Sequence, residues 1–248
     1  MILTLIKRIL IWKDIASSQL KKKPQIIFLG DSWSNLTFFN FFTYDTIDWL
    51  KKFGHNVIDV GWPGYTIKKE LQLQLFKQAI SGVTGQNDIV ICISLGGNDM
   101  LSIPTDQLKD KTKYAAEQTI GRLVTLIGMI RDYCKKLGLK PKFIFHGYDY
   151  VHAEKEIFSI KGSLTWRFGH DMNDLEINDL MKNVLDALNE ASIFIASQFD
   201  DIEFLDLRGT LNGIEDFVED IHPDKYGYKK IAEKFSEKIN SLKIKFIN

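Results

Sequence analysis

Apolar residues in this chain fall into two rhythms. Short continuous bursts alternate with longer stretches in which hydrophobic positions recur every three to four residues. The bursts are 25–29, 56–60, 88–95, 142–146 and 202–207. The first four stop at Gly30, Gly61, Gly96-Gly97 and Gly147. Each reads as a strand closed by a residue that tolerates a sharp turn. The third is almost wholly apolar, as a parallel strand covered on both faces must be. Helical periodicity marks 43–53, 66–80, 106–137, 174–199 and 224–241. Leu123, Leu126, Ile127 and Ile130 form a clear stripe in the third of these. Such alternation predicts an α/β domain, a doubly wound parallel sheet with helices on both faces. Right-handed crossovers then bring the carboxyl ends of the strands to one edge, where such sheets bind ligands.

Two stretches stand outside this rhythm. Leu3, Ile6, Ile9 and Leu10 follow helical spacing, so an amphipathic helix is expected over 3–18, within an N-terminal segment 1–20. It docks on the domain or lies on a membrane surface. Lys7, Arg8, Lys13 and Asp14 interrupt it too early for a signal peptide, so a cytoplasmic location is expected. Residues 148–173 are rich in aromatics and histidine, with Tyr148, Tyr150, His152, Trp166, Phe168 and His170. They form a lid over the site or a surface excursion closing a core edge. Without repeats or linkers, residues 1–248 are expected to fold as one domain.

Composition narrows the function. Lys and Arg together number 32 and Asp and Glu 32, giving no net charge and no basic footprint for nucleic acid. No stretch approaches the ~20 apolar residues of a membrane span. Cys92 and Cys134 have neither zinc spacing nor a disulfide pattern. His55, His146, His152 and His170 show no paired metal spacing either, though His146 ends a strand and is expected to border a pocket. No metal or cofactor is expected.

Candidate chemistry gathers at the element boundaries. Ser32 follows the first strand by two residues after its glycine, where a hydroxyl is exposed and its own N–H can face an oxyanion; it also suits a helix N-cap. Gly64, in the loop after the second strand, lets backbone approach a ligand and offers a second N–H, or completes a plain Pro63-Gly64 turn. Asn98, after the third strand, offers a side-chain amide or bonds its own turn. Asp99 beside it is expected to hold the loop. His222 precedes Pro223, which is expected to open the last helix and pin the imidazole on a short stiff loop. Glu219 and Asp220 both suit a carboxylate that orients this histidine, and the spacing does not choose between them. Trp33, Phe38, Phe39, Phe41, Phe42, Tyr44 and Trp49 form a core cluster or line an acyl pocket.

At these residues the chain resembles the SGNH hydrolases, also called the GDSL esterase/lipase family. Gly30-Asp31-Ser32 resembles the first block, Gly64 the second-block glycine, Gly96-Gly97-Asn98-Asp99 the third block and His222-Pro223 the last. Tyr226-Gly227-Tyr228 is similar to the aromatic-glycine start of the family's last helix. The resemblance spans about 25–240. It implies a flavodoxin-like three-layer α/β/α sandwich with a five-stranded parallel sheet and a metal-independent serine hydrolase. Ser32 is then the nucleophile and His222 the base. The Ser32 and Gly64 N–H groups and the Asn98 amide form the oxyanion hole. The family's last block is commonly D-x-x-H, whereas Glu219 stands three before His222 here. A glutamate triad, Asp220 as the acid and a dyad held by backbone all remain open. The G-x-S-x-G elbow of α/β-hydrolases is absent.

The leading expectation is a serine esterase that hydrolyses a carboxylic ester through an acyl-enzyme. Its substrate is a small-molecule, lipid or carbohydrate ester, with acyl length and oligomeric state left open. One alternative is a flavodoxin-like phosphate- or flavin-binding protein, with Ser32, Ser34 and Thr37 cradling a phosphate. The other is a catalytically inactive SGNH-like binding module.

Overall fold

The computed structural model describes residues 25–35, 44–81, 88–155, 163–169 and 172–242. Five parallel strands form one sheet: β1 (Gln25–Gly30), β2 (Asn56–Asp59), β3 (Asp88–Ser94), β4 (Lys140–His146) and β5 (Ile202–Leu205). Their order is β2-β1-β3-β4-β5. The direction of winding therefore reverses between β1 and β3, the switch point at which doubly wound sheets open a crevice. Ile26–Leu29 and Val90–Ile93 are sealed from solvent, which explains the continuous apolar runs in those two central strands.

The helices are α1 (Thr46–Lys52), α2 (Lys69–Ile80), α3 (Gly97–Leu101), α4 (Thr105–Lys136), α5 (Ser163–Phe168), α6 (Asp174–Ala196) and α7 (Lys225–Ser241). One helical layer packs α2 on α4 and α4 on α6; the other pairs α1 with α7. The result is an α/β/α three-layer sandwich. Asn173 caps α6 in a reciprocal box, its side chain accepting from the Glu176 N–H while Glu176 accepts from the Asn173 N–H. Helix α7 is held to β1 by Phe235, whose ring centroid lies 5.1 Å from that of Phe28. That contact matters because α7 carries the end of the chain across to the strand that precedes Ser32.

The structure departs from the sequence expectations at several boundaries. β2 ends at Asp59 and β5 at Leu205, earlier than the apolar runs, whereas β4 begins earlier, at Lys140. Helix α4 carries a non-helical residue at Lys111 (φ −134°), so it kinks in its second turn. Residues 97–101 form a helix that is too short to show a period. Pro223 does not open the last helix. It bridges to Phe217 in antiparallel fashion, and Asp224 is the N-cap, its carboxylate accepting from the Tyr226 and Gly227 N–H groups at 2.7 Å each. An aspartate at the cap satisfies two orphan donors, and this fixes the helix start at Lys225, two residues later than Pro223 would.

The expected helix 3–18, the four phenylalanines 38, 39, 41 and 42, Thr37 and His170 lie outside the described residues. Within 148–173, Tyr148, Val151, Ala153, Leu164 and Phe168 are buried against the body of the fold. Among the described residues no helix is long and apolar enough to cross a membrane.

Candidate active site

Three strand ends are fastened together at the switch point. The Asp31 N–H continues the β1–β3 ladder by donating to the Ser94 carbonyl at 2.8 Å, and the Trp62 N–H donates to the Gly30 carbonyl at 2.9 Å. Ser32 therefore sits on a turn with little freedom. Asn35 and Ser34 N–H groups both donate to the Asp31 carbonyl, at 3.0 and 3.1 Å. Among the described residues 31–35 no helix starts, so Ser32 is not an N-cap. The Ser34 hydroxyl is buried and donates to the same carbonyl at 2.8 Å, which leaves its proton unavailable to a phosphate.

The loop after β2 is stitched to α3. Asn98 Nδ2 donates to the Tyr65 carbonyl at 3.1 Å, and the Ile67 N–H donates to Asp99 Oδ2 at 2.9 Å. Arg122 holds the other Asp99 oxygen at 3.3 Å, so Asp99 does secure this loop. Gly64 immediately precedes these anchors at φ +79°, a conformation that favours glycine. Among the described residues neither the Ser32 nor the Gly64 N–H has a protein acceptor. An amide carries two N–H bonds, so Asn98 retains one beyond that to Tyr65.

His222 arrives from the far end of the chain. The strip Asp216–Asp224 folds back on itself, with the Val218 N–H donating to the His222 carbonyl at 2.9 Å and the Asp224 N–H to the Asp216 carbonyl at 2.7 Å. This hairpin-like loop aims His222 Nε2 at Ser32 Oγ, 2.8 Å away. The carboxylate against Nδ1 belongs to Glu219. Among the described residues Glu219 Oε1 has no hydrogen-bonding partner besides this imidazole contact. Burial alone would raise the Glu219 carboxyl, but the imidazole and a hydrogen bond with Asp220 outweigh it and hold the acid well below its usual range. Asp220 is fully buried, and its carboxylate accepts from the Leu164 N–H at 2.5 Å. It thereby roots the His222 loop in α5.

Two tyrosines complete the frame. Tyr228, on α7, donates to the Ser32 carbonyl at 2.8 Å. Tyr148, just after β4, donates to Asp31 Oδ2 at 2.6 Å and accepts from the Gly97 N–H at 3.1 Å. Asp31 Oδ1 accepts from Ser94 Oγ at 2.8 Å and the Trp33 N–H at 3.0 Å. Burial drives the Asp31 carboxyl up to about 6, against the pull of these donors and of His222. The sequence offered Tyr148 only as part of an aromatic stretch; its position directly after a strand end was the usable signal. His146 does not line the small cavity beside Ser32. Its ring lies buried, 6.5 Å from Trp33 and 5.4 Å from Phe235 between centroids, and burial lowers it to about 4. Among the described residues no group of His, Cys, Asp or Glu is arranged to hold a metal.

A hydroxyl facing an imidazole, itself facing a carboxylate, is the arrangement that general-base activation of an alcohol requires. A parallel α/β sandwich with this site at its switch point defines the class: a serine hydrolase. The chain belongs to the GDSL-like lipase/acylhydrolase family, whose model matches residues 10–235. Solved structures share the fold. The goat rumen metagenome lipase Lip_vut3 is similar with a TM-score of 0.57 at 13% identity, over 87% of this chain and 97% of that one. A lipolytic protein of the G-D-S-L family from Veillonella parvula gives 0.54 at 18%, over 88% and 99%. The aryl esterase of M. smegmatis gives 0.54 at 15%, also over 88% and 99%. No curated protein matches the sequence significantly.

Proposed function

We propose that the protein hydrolyses carboxylic esters through an acyl-enzyme on Ser32. The observation that carries this reading is the 2.8 Å contact between Ser32 Oγ and His222 Nε2, with Glu219 on the opposite ring nitrogen. Ser32 Oγ attacks the ester carbonyl carbon as its proton passes to His222 Nε2. The carbonyl oxygen, now carrying the charge, is met by the Ser32 and Gly64 N–H groups and the second Asn98 N–H. Donors of this kind typically contribute ~3–4 kcal/mol each to transition-state stabilisation. His222 then gives its proton to the departing alcohol oxygen, and the C–O bond to the alcohol breaks. Water, deprotonated by the same nitrogen, cleaves the acyl-serine ester, and the proton returns to Ser32 Oγ. Glu219 keeps Nδ1 protonated and stabilises the imidazolium, and Asp220 anchors the loop. Tyr228 and Asp31 position the turn that bears Ser32.

Hydrolysis of a chromogenic acetyl ester by the purified protein tests the reading. Ser32→Ala is expected to lower kcat on the order of 10⁴–10⁶-fold, the scale seen when such a nucleophile is removed. A variant that turns over as fast as the natural chain would remove Ser32 from the reaction.

A further inference from the structure

A small cavity opens directly beside Ser32. Asp31, Ser32, Trp33, Gly97, Asn98 and Tyr148 line it. The rest of the lining is hydrocarbon and thioether, from Met100, Leu101, Val151, Met181, Val184, Leu185 and Ile221. Met181, Val184 and Leu185 stand at i, i+3 and i+4 on α6, hence on one face of that helix. They are almost wholly buried, at 2%, 1% and 4% exposure, so they give the cavity a fixed apolar lining.

We propose that this cavity is the acyl subsite and that it selects short aliphatic acyl groups. The inference rests on the esterase reading above and names which half of the ester goes where. The departing alcohol oxygen must reach His222 Nε2 to receive its proton. Ser32 and Asn98 line the cavity and His222 does not. The group that enters it is therefore the one turned away from the base, which is the acyl chain. Chemistry agrees with position. The one carboxylate in the wall, Asp31, already accepts from Ser94, Trp33 and Tyr148. A sugar placed here would leave hydroxyl groups facing methyl groups without partners, at a cost that a hydrocarbon chain avoids.

Size sets the length. The centres of water-sized groups have about 40 Å³ in which to lie. Each such group needs roughly 10–15 Å³ by this measure, so about three fit, an acyl chain of two to four carbons. A longer chain outgrows this space. The thioethers of Met100 and Met181 give the wall some adaptability, yet α6 is fixed against α4 and the sheet.

The test is kcat/KM for p-nitrophenyl esters of acetate, butyrate, hexanoate, octanoate and decanoate. The shared leaving group isolates the acyl side. The natural chain should be fastest on acetate or butyrate and lose at least about tenfold by octanoate, the scale on which apolar pockets discriminate by size. Leu185→Ala, which enlarges the cavity, should raise the octanoate-to-butyrate ratio about tenfold. Val184→Phe, which fills it, should lower the butyrate-to-acetate ratio by a similar factor. Labelling by a fluorophosphonate confirms that each variant retains a folded site. A natural chain that prefers decanoate, or ratios that stay put in whichever variants label, would overturn the short-acyl subsite and leave the esterase reading intact. Failure of the natural chain both to label and to cleave any ester would overturn the esterase reading, and this inference with it.

Discussion

His222 links two residues of opposite demand, a hydroxyl that must lose a proton and a carboxylate that must keep none. Glu219 meets the second demand, held well below the usual carboxylate range by the imidazole and by Asp220. Glu219→Gln is therefore expected to lower kcat roughly 10²–10⁴-fold with little change in KM, because an amide no longer fixes the tautomer. Asp220→Asn should cost much less in kcat, since its side chain can still accept from the Leu164 N–H. Equal losses in steady-state assays would put both carboxylates in one role. Asp31 gives a second test. Its folded-state value, about 6, lies above the ordinary 3.8, so ionising it costs stability as pH rises through about 6. Tyr148 donates to the ionised form. Removing that donor in Tyr148→Phe raises the Asp31 value further, so the loss of stability is larger near pH 8 than near pH 5. A hydrogen bond to a charged group contributes roughly 1.5–3 kcal/mol, the excess expected at the higher pH in urea unfolding. A loss that does not vary with pH would show that the bond is not made to a carboxylate. Residue type and spacing marked Ser32, Gly64, Asn98 and His222 as candidates, but could not choose between Glu219 and Asp220. That choice depends on which way each side chain leaves the folded-back loop, and adjacent acids look alike in a sequence. Tyr148 escaped notice because its partner Asp31 is 117 residues away.

The elements owe their legibility to length. Strands of β-branched and aromatic residues stopped by glycine announced themselves, and α4 and α6 span enough turns to display a stripe. Helix α3, five residues long, could not do so, and the Pro223 expectation failed because Asp224 offered a better cap. The first turn of α7 is where an element controls the site most tightly. A Cβ on Gly227 would lie 2.6 Å from the Asp216 carbonyl oxygen and 2.9 Å from Pro223 Cβ. Gly227→Ala must then push α7 away from the strip that presents His222. Overpacking of this kind typically costs about 1–3 kcal/mol. Urea denaturation should register that loss, and kcat should fall with it, as the imidazole shifts from Ser32. A variant of unchanged stability would mean that the turn is looser than its contacts imply.

At the scale of the whole molecule, the strand order explains how residues 190 positions apart come within hydrogen-bonding reach. The sheet reverses its winding between β1 and β3, which places the Ser32 turn beside the Asn98 helix. The final helix crosses to pack on α1 and on Phe28 of β1, bringing its preceding loop over the same edge. Hydrophobic patterning foretold the layers and the parallel sheet, but not this last crossing. Nothing local in 217–241 specifies which strand α7 will cover; that is settled by ring packing at long range. Adding a fluorophosphonate to the intact protein and mapping the adduct by peptide mass spectrometry tests the assignment of Ser32 as nucleophile. The expected result is one phosphonyl group per chain, on the peptide bearing Ser32, absent after Ser32→Ala and strongly slowed by a substitution at His222. An adduct on any other residue, or an unmodified Ser32 in folded protein, would contradict it.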